Sequence, residues 1–397
     1  MINPSANGWI DKFFLEQQVV EAISDTDSFY QNIRLTGFIY GHVVSFSTPR
    51  TINTKGWLHD EVSKVAMLNA LYQMYTLTTQ DVHPKQFIEK AASFYDKMNP
   101  QGFSLFRKMI PGQSVAHHLE KIIDERVHTN DNIISKNFSH IVTNALLFVD
   151  VLAFQQYLTQ GEVSDKYLKK IEETIISVVT LALQTKTNKS PHDKLLVKLF
   201  EASVRYTKFS KANIQNLDAL QLEYYQHPLE KYYLIDIAGL ALWSDGMVEK
   251  DEAYFLHTLA ATMDVPDAFV TKSISDTHAF ISKYLKEIPY FNYSNPVKHF
   301  YDQTTQLVIT LITRNKKRLA KEISESKELM VLLAHSTQRD LDKDEKKKIK
   351  KQLLDICKSI PSLTIFLIPG GSLLLPILIK FIPQMLPSAF NENLDEE

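Results

Sequence analysis

The chain has 397 residues, with 44 Lys plus Arg against 46 Asp plus Glu, so its surface as a whole is not the basic field of a nucleic-acid coat. With 44% hydrophobic and 23% charged residues it has the composition of a folded protein with room for two or three domains. Eleven glycines leave few positions for phosphate-cradling loops or tight strand turns, and the single cysteine, Cys357, excludes an intramolecular disulfide and a cysteine-based zinc site.

The start, Met1-Ile-Asn-Pro-Ser-Ala-Asn-Gly-Trp-Ile-Asp-Lys12, has no basic segment ahead of an apolar run and no arginine-rich presequence. An N-terminal export or import signal is therefore not expected. Residues 36–47 are β-branched and aromatic enough for a strand. Elsewhere apolar residues recur at helical spacing, as in Leu58, Val62, Val65, Leu68, Tyr72 and Tyr75, or Leu168, Ile171, Ile175, Val178 and Val179. The fold class is all-α, with multi-helix bundle domains. Polar or proline-bearing breaks at 47–54, 186–191, 226–228 and 288–296 suggest an N-terminal helical region at 1–215, a helical bundle at 216–288 and a C-terminal module at 289–397.

A helix-start pattern recurs as Gly161-Glu-Val-Ser164, Gly246-Met-Val-Glu249 and Asp340-Leu-Asp342. Ser164 and Asp342 are good N-caps, and Glu345 completes a capping box with Asp342. His117, Glu120, Asp124 and His128 share one helical face and could hold zinc or iron. No second Glu-x-x-His or His-Glu-x-x-His motif completes such a site, so a solvated polar face is preferred and no metal is expected.

The segment Asp236-Ile-Ala-Gly-Leu-Ala-Leu-Trp-Ser-Asp-Gly-Met-Val-Glu-Lys-Asp-Glu252 is similar to the TerB-like helical domains of tellurite resistance, over about 228–275. Asp245, Gly246, Val248 and Glu252 fall on positions 5, 6, 8 and 12 of a calcium-binding loop. Ala241 and Trp243 would occupy the first and third positions without side-chain oxygens, so a helix–helix turn with an acidic helix start is preferred. There is no Gly-x-Ser-x-Gly, Walker or dinucleotide-binding motif. Cys357 shares an apolar helix face with Leu353, Leu354 and Ile360. The chain is therefore expected to be no enzyme and to need no cofactor.

Two basic clusters follow, at 314–321 and 343–358. In the second, Ile349, Leu353, Ile356 and Ile360 form an apolar stripe opposite a surface of Lys346, Lys347, Lys350 and Lys351. Such lysines can meet anionic headgroups or ribosomal RNA. The segment 363–386 is then the most apolar of the chain. From Leu363 to Ile382 it is long enough, at about 30 Å as a helix, to span a bilayer with Lys380 snorkelling. Its prolines, Pro369, Pro376 and Pro383, make a kinked span, a re-entrant hairpin or a buried helical hairpin the alternatives to a straight one. Lysines before the segment and acidic residues after it would leave the large body on the cytoplasmic face of the inner membrane.

Residues from about 305 to 390 resemble the LETM family, the leucine-zipper and EF-hand-containing transmembrane proteins and their bacterial relatives. The resemblance runs through the basic helix near Lys316, Leu341 and Glu345, Asp355, Lys358 and Pro361. It is densest in Pro369, Leu375-Pro376, Lys380, Pro383, Met385-Leu-Pro-Ser388 and Phe390. It implies ribosome binding, potassium/proton or calcium/proton exchange, or both, and bacterial relatives with a long helical N-terminal region carry a suggested link to biofilms. Ser372 stands where eukaryotic members have a glutamate, and the resemblance leaves most of the family's ribosome-binding region beyond Glu397. The expected function is a LETM-like, membrane-associated helical protein that binds a partner through its basic module, with cation homeostasis and a helical enzyme as the rivals. Its expected partners are membrane lipids, the ribosome and a second copy of the chain, with no DNA among them.

Proton-coupled exchange needs a titratable group at membrane depth. From Leu363 to Phe390 there is no Asp, Glu or His. The purified protein in liposomes is expected to show no pH-gradient-driven potassium or calcium flux above empty vesicles, and robust flux from the wild type would put the transport reading first.

Overall fold

The computed structural model describes residues 2–17, 23–98, 114–127, 144–186, 216–243, 248–288, 308–339, 341–360 and 375–385, with the single residues 197, 200, 305, 363, 366 and 367. The chain divides into two compact units. The first joins Met1–Asn53, His59–Thr129 and Ser139–Tyr293; the second joins Thr54–Leu58, Asn130–Phe138 and Ser294–Glu397. Among the described residues every regular element is helical.

The first unit holds α1 (Trp9–Gln17), α2 (Thr26–Thr36), α3 (His59–Thr79), α4 (Pro84–Lys97), α5 (Val115–Val127), α6 (Phe148–Gln160), α7 (Asp165–Thr185), α8 (Pro228–Leu242), α9 (Lys250–Ala261) and α10 (Asp267–Tyr284). Helices α3 and α8 are buried nearly all round, which makes them the axes on which the amphipathic helices pack. Helices α2, α5 and α6 pack on α3, while α7, α9 and α10 pack on α8. The sequence division at 215 falls between α7 and α8, which pack on each other within this unit.

Where the composition of 36–47 also admitted a strand there is a short 3-10 turn, Phe38–Tyr40, between Gly37 and Gly41, both in the left-handed region at φ 79° and 72°. Two left-handed residues four apart bracket the turn, and Phe38, Ile39 and Tyr40 all enter the core. A Cβ at Gly37 would lie 2.1 Å from the His42 carbonyl oxygen, so only glycine fits there.

The turn delivers α2 to a buried charge. Asp236 on α8 is 1% exposed and receives Arg34 Nη2 at 2.9 Å, Arg34 Nε at 3.1 Å, the Tyr30 hydroxyl at 2.6 Å and the Ser273 hydroxyl. Arg34 also donates to Asp276 on α10 at 3.1 Å, and its guanidinium lies 4.8 Å from the Phe269 ring centroid. A second buried carboxylate, Asp150 on α6, takes Arg126 of α5 at 2.7 Å and the Tyr95 hydroxyl of α4 at 3.0 Å. Removing one partner of a buried, hydrogen-bonded pair leaves an uncompensated charge. Asp236→Asn is expected to lower the unfolding free energy by about 3 kcal/mol in urea titrations, and a loss under about 1 kcal/mol would show that the pair does not hold the unit together.

Candidate basic interaction surface

The second unit contains α11 (Lys316–Ser324), α12 (Lys327–Gln338), α13 (Lys343–Ser359) and α14 (Leu375–Met385). Its core is aliphatic: Leu319, Ile323, Leu329, Leu333, Ile349 and Leu353 are each at most 1% exposed. Helix α13 begins at the capping box expected from the sequence. The Asp342 carboxylate accepts from the backbone N–H of Glu345 at 2.8 Å, and Glu345 accepts from the Asp342 backbone N–H at 2.9 Å. Arg339 forks onto the same Glu345, with its Nη1 at 2.8 Å and its Nη2 at 2.6 Å.

The stripe Ile349, Leu353, Ile356 and Ile360 is buried, and with it Cys357, whose thiol burial pushes up to about 12. A thiol so held is no nucleophile at neutral pH. On the solvent side Lys348 pairs with Glu328 of α12 at 2.9 Å and Lys358 with Asp355 at 2.8 Å. Lys346, Lys347, Lys350 and Lys351 stay exposed. They stand as two like-charged pairs four residues apart, in the N-terminal half of a helix whose dipole disfavours cations there. Helix stability is therefore not the reason for their placement. Asp342, Asp344 and Glu345 offset part of the repulsion at the helix start.

Of the residues expected in a membrane segment, four are described. Leu363 is fully buried in the aliphatic core beside Phe366, and α14 packs on α12 with Leu375, Ile377, Leu378 and Ile382 buried. Pro376 lies in the first turn of α14, Pro383 is half-buried near its end, and Lys380 is exposed with Nζ 5.7 Å from the Phe381 ring centroid. Pro369 and Ser372 lie outside the described residues. Among the described residues no helix is long and apolar enough to cross a membrane. Helix α14 has 11 described residues, about 16 Å, against the roughly 30 Å of a hydrocarbon core.

The other sequence candidates are absorbed by the first unit. Glu120 accepts from the backbone N–H groups of Gly8 and Ile10 at 3.0 Å each, which caps the start of α1, and Asp124 pairs with Lys64. His117 Nδ1 lies 3.2 Å from Glu120, and His128 lies outside the described residues. Asp245 and Gly246 lie outside them as well, while Glu252 accepts from the backbone N–H of Glu249, the N-cap of α9, at 2.8 Å and completes a capping box. Among the described residues no group of three His, Cys, Asp or Glu is placed to hold a metal.

Comparison with known proteins bears out the LETM resemblance in this C-terminal part. The family model described as "LETM1-like, RBD" matches residues 341–397. A relative is the LETM1 domain-containing protein mdm28, mitochondrial, of Schizosaccharomyces pombe, 32% identical over 101 residues. That match covers 25% of this chain and 18% of the relative, so the chain spans less than a fifth of it. No solved structure matches the chain. The TerB-like resemblance of the middle region rests on its residues alone.

Of the residues that carried the resemblance, Glu345 completes the capping box at the start of α13 and Leu341 is buried in the aliphatic core. The Arg339 fork and the Asp342 N–H hold the Glu345 carboxyl down at about 2, against its usual 4.5. A carboxyl lowered on folding stabilises the fold above its unfolded value, and that contribution fades as pH falls through the folded one. Glu345→Gln is expected to lower Tm at pH 7, with the gap to wild type closing between about pH 4.5 and pH 2; a gap independent of pH would remove the carboxylate from the account.

Proposed function

We propose that the chain is a non-enzymatic, LETM-like protein whose C-terminal module docks on the ribosome through the lysine face of α13. The observation that carries this reading is that Lys346, Lys347, Lys350 and Lys351 are exposed on one helix inside the matched segment, where their mutual repulsion costs stability unless an anion meets them. RNA phosphates suit such a face because the lysines act as point charges and need no fixed fork geometry.

A second reading has its own support in the apolar stretch 363–386. Here the same lysines rest on anionic lipid headgroups at the cytoplasmic face of the inner membrane, each drawn by about 1 kcal/mol. Lys380, exposed on α14, would join them. Cation homeostasis has less support, since the segment supplies no carboxylate of its own.

Co-sedimentation of the full chain with ribosomes, and separately with phosphatidylserine vesicles, tests the proposal. Ribosome binding is expected, with a steep loss of affinity as salt rises. Changing all four lysines to glutamine should flatten the slope of log affinity against log salt by about 3. Binding to vesicles alone would replace the ribosome by lipid, and unchanged binding in the variant would leave the lysines as solvated charge.

A further inference from the structure

A polar cavity of about 500 Å³ opens in the first unit where the end of α6 meets the starts of α7 and α8. Its size falls within the range of small-molecule sites, about 300–1,000 Å³. Two of its lining side chains are themselves buried, Glu230 at 5% and Tyr167 at 1% exposure. The Glu230 carboxyl accepts from the His227 backbone N–H at 3.2 Å and from Gln156 Nε2 at 3.4 Å. Both contacts are long, and a carboxyl offers more sites than they fill. The Tyr167 hydroxyl has Glu230 as its side-chain hydrogen-bond partner, but only at a looser geometry than an ordinary hydrogen bond. A buried polar atom left in this state in the wall of a cavity points to a ligand that completes it.

The lining also fixes the ligand's charge. Burial raises the Glu230 carboxyl and lowers the His227 imidazole, so both groups are pushed towards their neutral forms. His227 Nδ1 accepts from the Leu229 backbone N–H at 3.3 Å, which fits an unprotonated nitrogen there. Among the described residues no lysine or arginine lines the cavity. Two cations lie near but outside the lining: Lys231, which acts on Glu230, and Lys170, which lies 4.0 Å from the Tyr224 ring centroid and donates to Gln221 at 3.2 Å. A phosphate or carboxylate would find no counter-charge in the lining, and a cation would first have to ionise a buried acid. The remaining polar wall comes from the amides of Gln155, Gln160 and Gln226 with the hydroxyls of Thr159 and Ser164; Thr159 and Gln226 each donate to a backbone carbonyl and Ser164 accepts from the Lys166 N–H, so the amides of Gln155 and Gln160 supply most of the donors. Hydroxyls are the ligand groups that match such a wall, and the half-exposed ring of Tyr224 adds an apolar edge.

We propose that this cavity is a binding site for a neutral, polyhydroxylated ligand of the sugar class, with Glu230, Tyr167 and Gln156 holding its hydroxyl groups. The site is independent of the lysine face on α13.

Saturation-transfer NMR on the full chain tests it, with glucose, galactose, N-acetylglucosamine and maltose as neutral probes and inorganic phosphate and choline as charged ones. At least one sugar is expected to receive transfer. Tyr167→Phe and Glu230→Gln should each weaken its binding about tenfold, the loss of one hydrogen bond. Gln160→Ala, a less buried change, should weaken it in a chain whose circular dichroism and Tm match wild type, which separates loss of the site from loss of the fold. Silence from every sugar, transfer to phosphate or choline alone, or sugar binding untouched by all three variants would overturn the proposal.

Discussion

A carboxylate stripped of water must be met by charge and by hydrogen bonds, and in the first unit this requirement decides where the helices go. Asp236 on α8 is met by Arg34 and Tyr30 of α2 and by Ser273 of α10, and Asp150 on α6 by Arg126 of α5 and Tyr95 of α4. Glu120 on α5 is met by the open N–H groups at the start of α1. Hydrophobic burial around α3 and α8 is stronger in sum, but it is non-directional and would tolerate a helix rotated or slid by a residue. The buried carboxylates would not, because each accepts from partners fixed on other helices. Gly37 belongs to the same constraint: its left-handed turn ends α2 just after Arg34 and lets Tyr40 return to the core beside Phe280.

The second unit is built on another principle. Its core is aliphatic, and its described ion pairs, such as Lys348 with Glu328, lie on the surface, where each contributes little. Such a core accepts any apolar face of the right length and period. Helix α14 provides one, with Leu375, Leu378 and Ile382 at i, i+3 and i+7 turned to α12. In the described part of the segment, the residues whose hydropathy suggested a bilayer also fill the core of the unit. Hydropathy reports that a segment avoids water, whereas only continuous length separates a membrane from a core.

Much of this was legible in the sequence because it is local. The helical period, the caps at Ser164 and Asp342, the Glu345 box and the apolar stripe of α13 are set by residues within a few positions of one another. The lysine face followed from the same period, and the match over 341–397 supports the reading of that part. The rest depends on residues far apart in sequence. Arg34 and Asp236 are 202 positions apart, and nothing in either neighbourhood names the other. The face of His117, Glu120 and Asp124 read as a solvated polar face, and buried Glu120 corrects that reading, which missed the face's partners, the start of α1 and Lys64, because they are also remote. The cavity at Glu230 was hidden for the same reason: His227-Pro228 read as a break between helices, while Tyr167 and Gln156 come from the preceding hairpin.

One local device shows how far burial, and not motif, sets chemistry. Helices α8 and α13 start with the same reciprocal arrangement, in which a glutamate three residues into the helix accepts from the N–H of the capping residue. At α13 the glutamate lies near solvent and meets Arg339, so its acid is strengthened and it serves as a staple. At α8 it is buried, and the same capping hydrogen bond together with the pull of Lys231 does not outweigh the loss of water, so its acid is weakened. The sequence pattern is shared, yet one glutamate is committed to charge and the other is held towards the neutral form in the wall of a cavity. A capping box therefore identifies a helix start from sequence, and only the packing above it decides whether its carboxyl is left to hold the helix or is turned to a ligand.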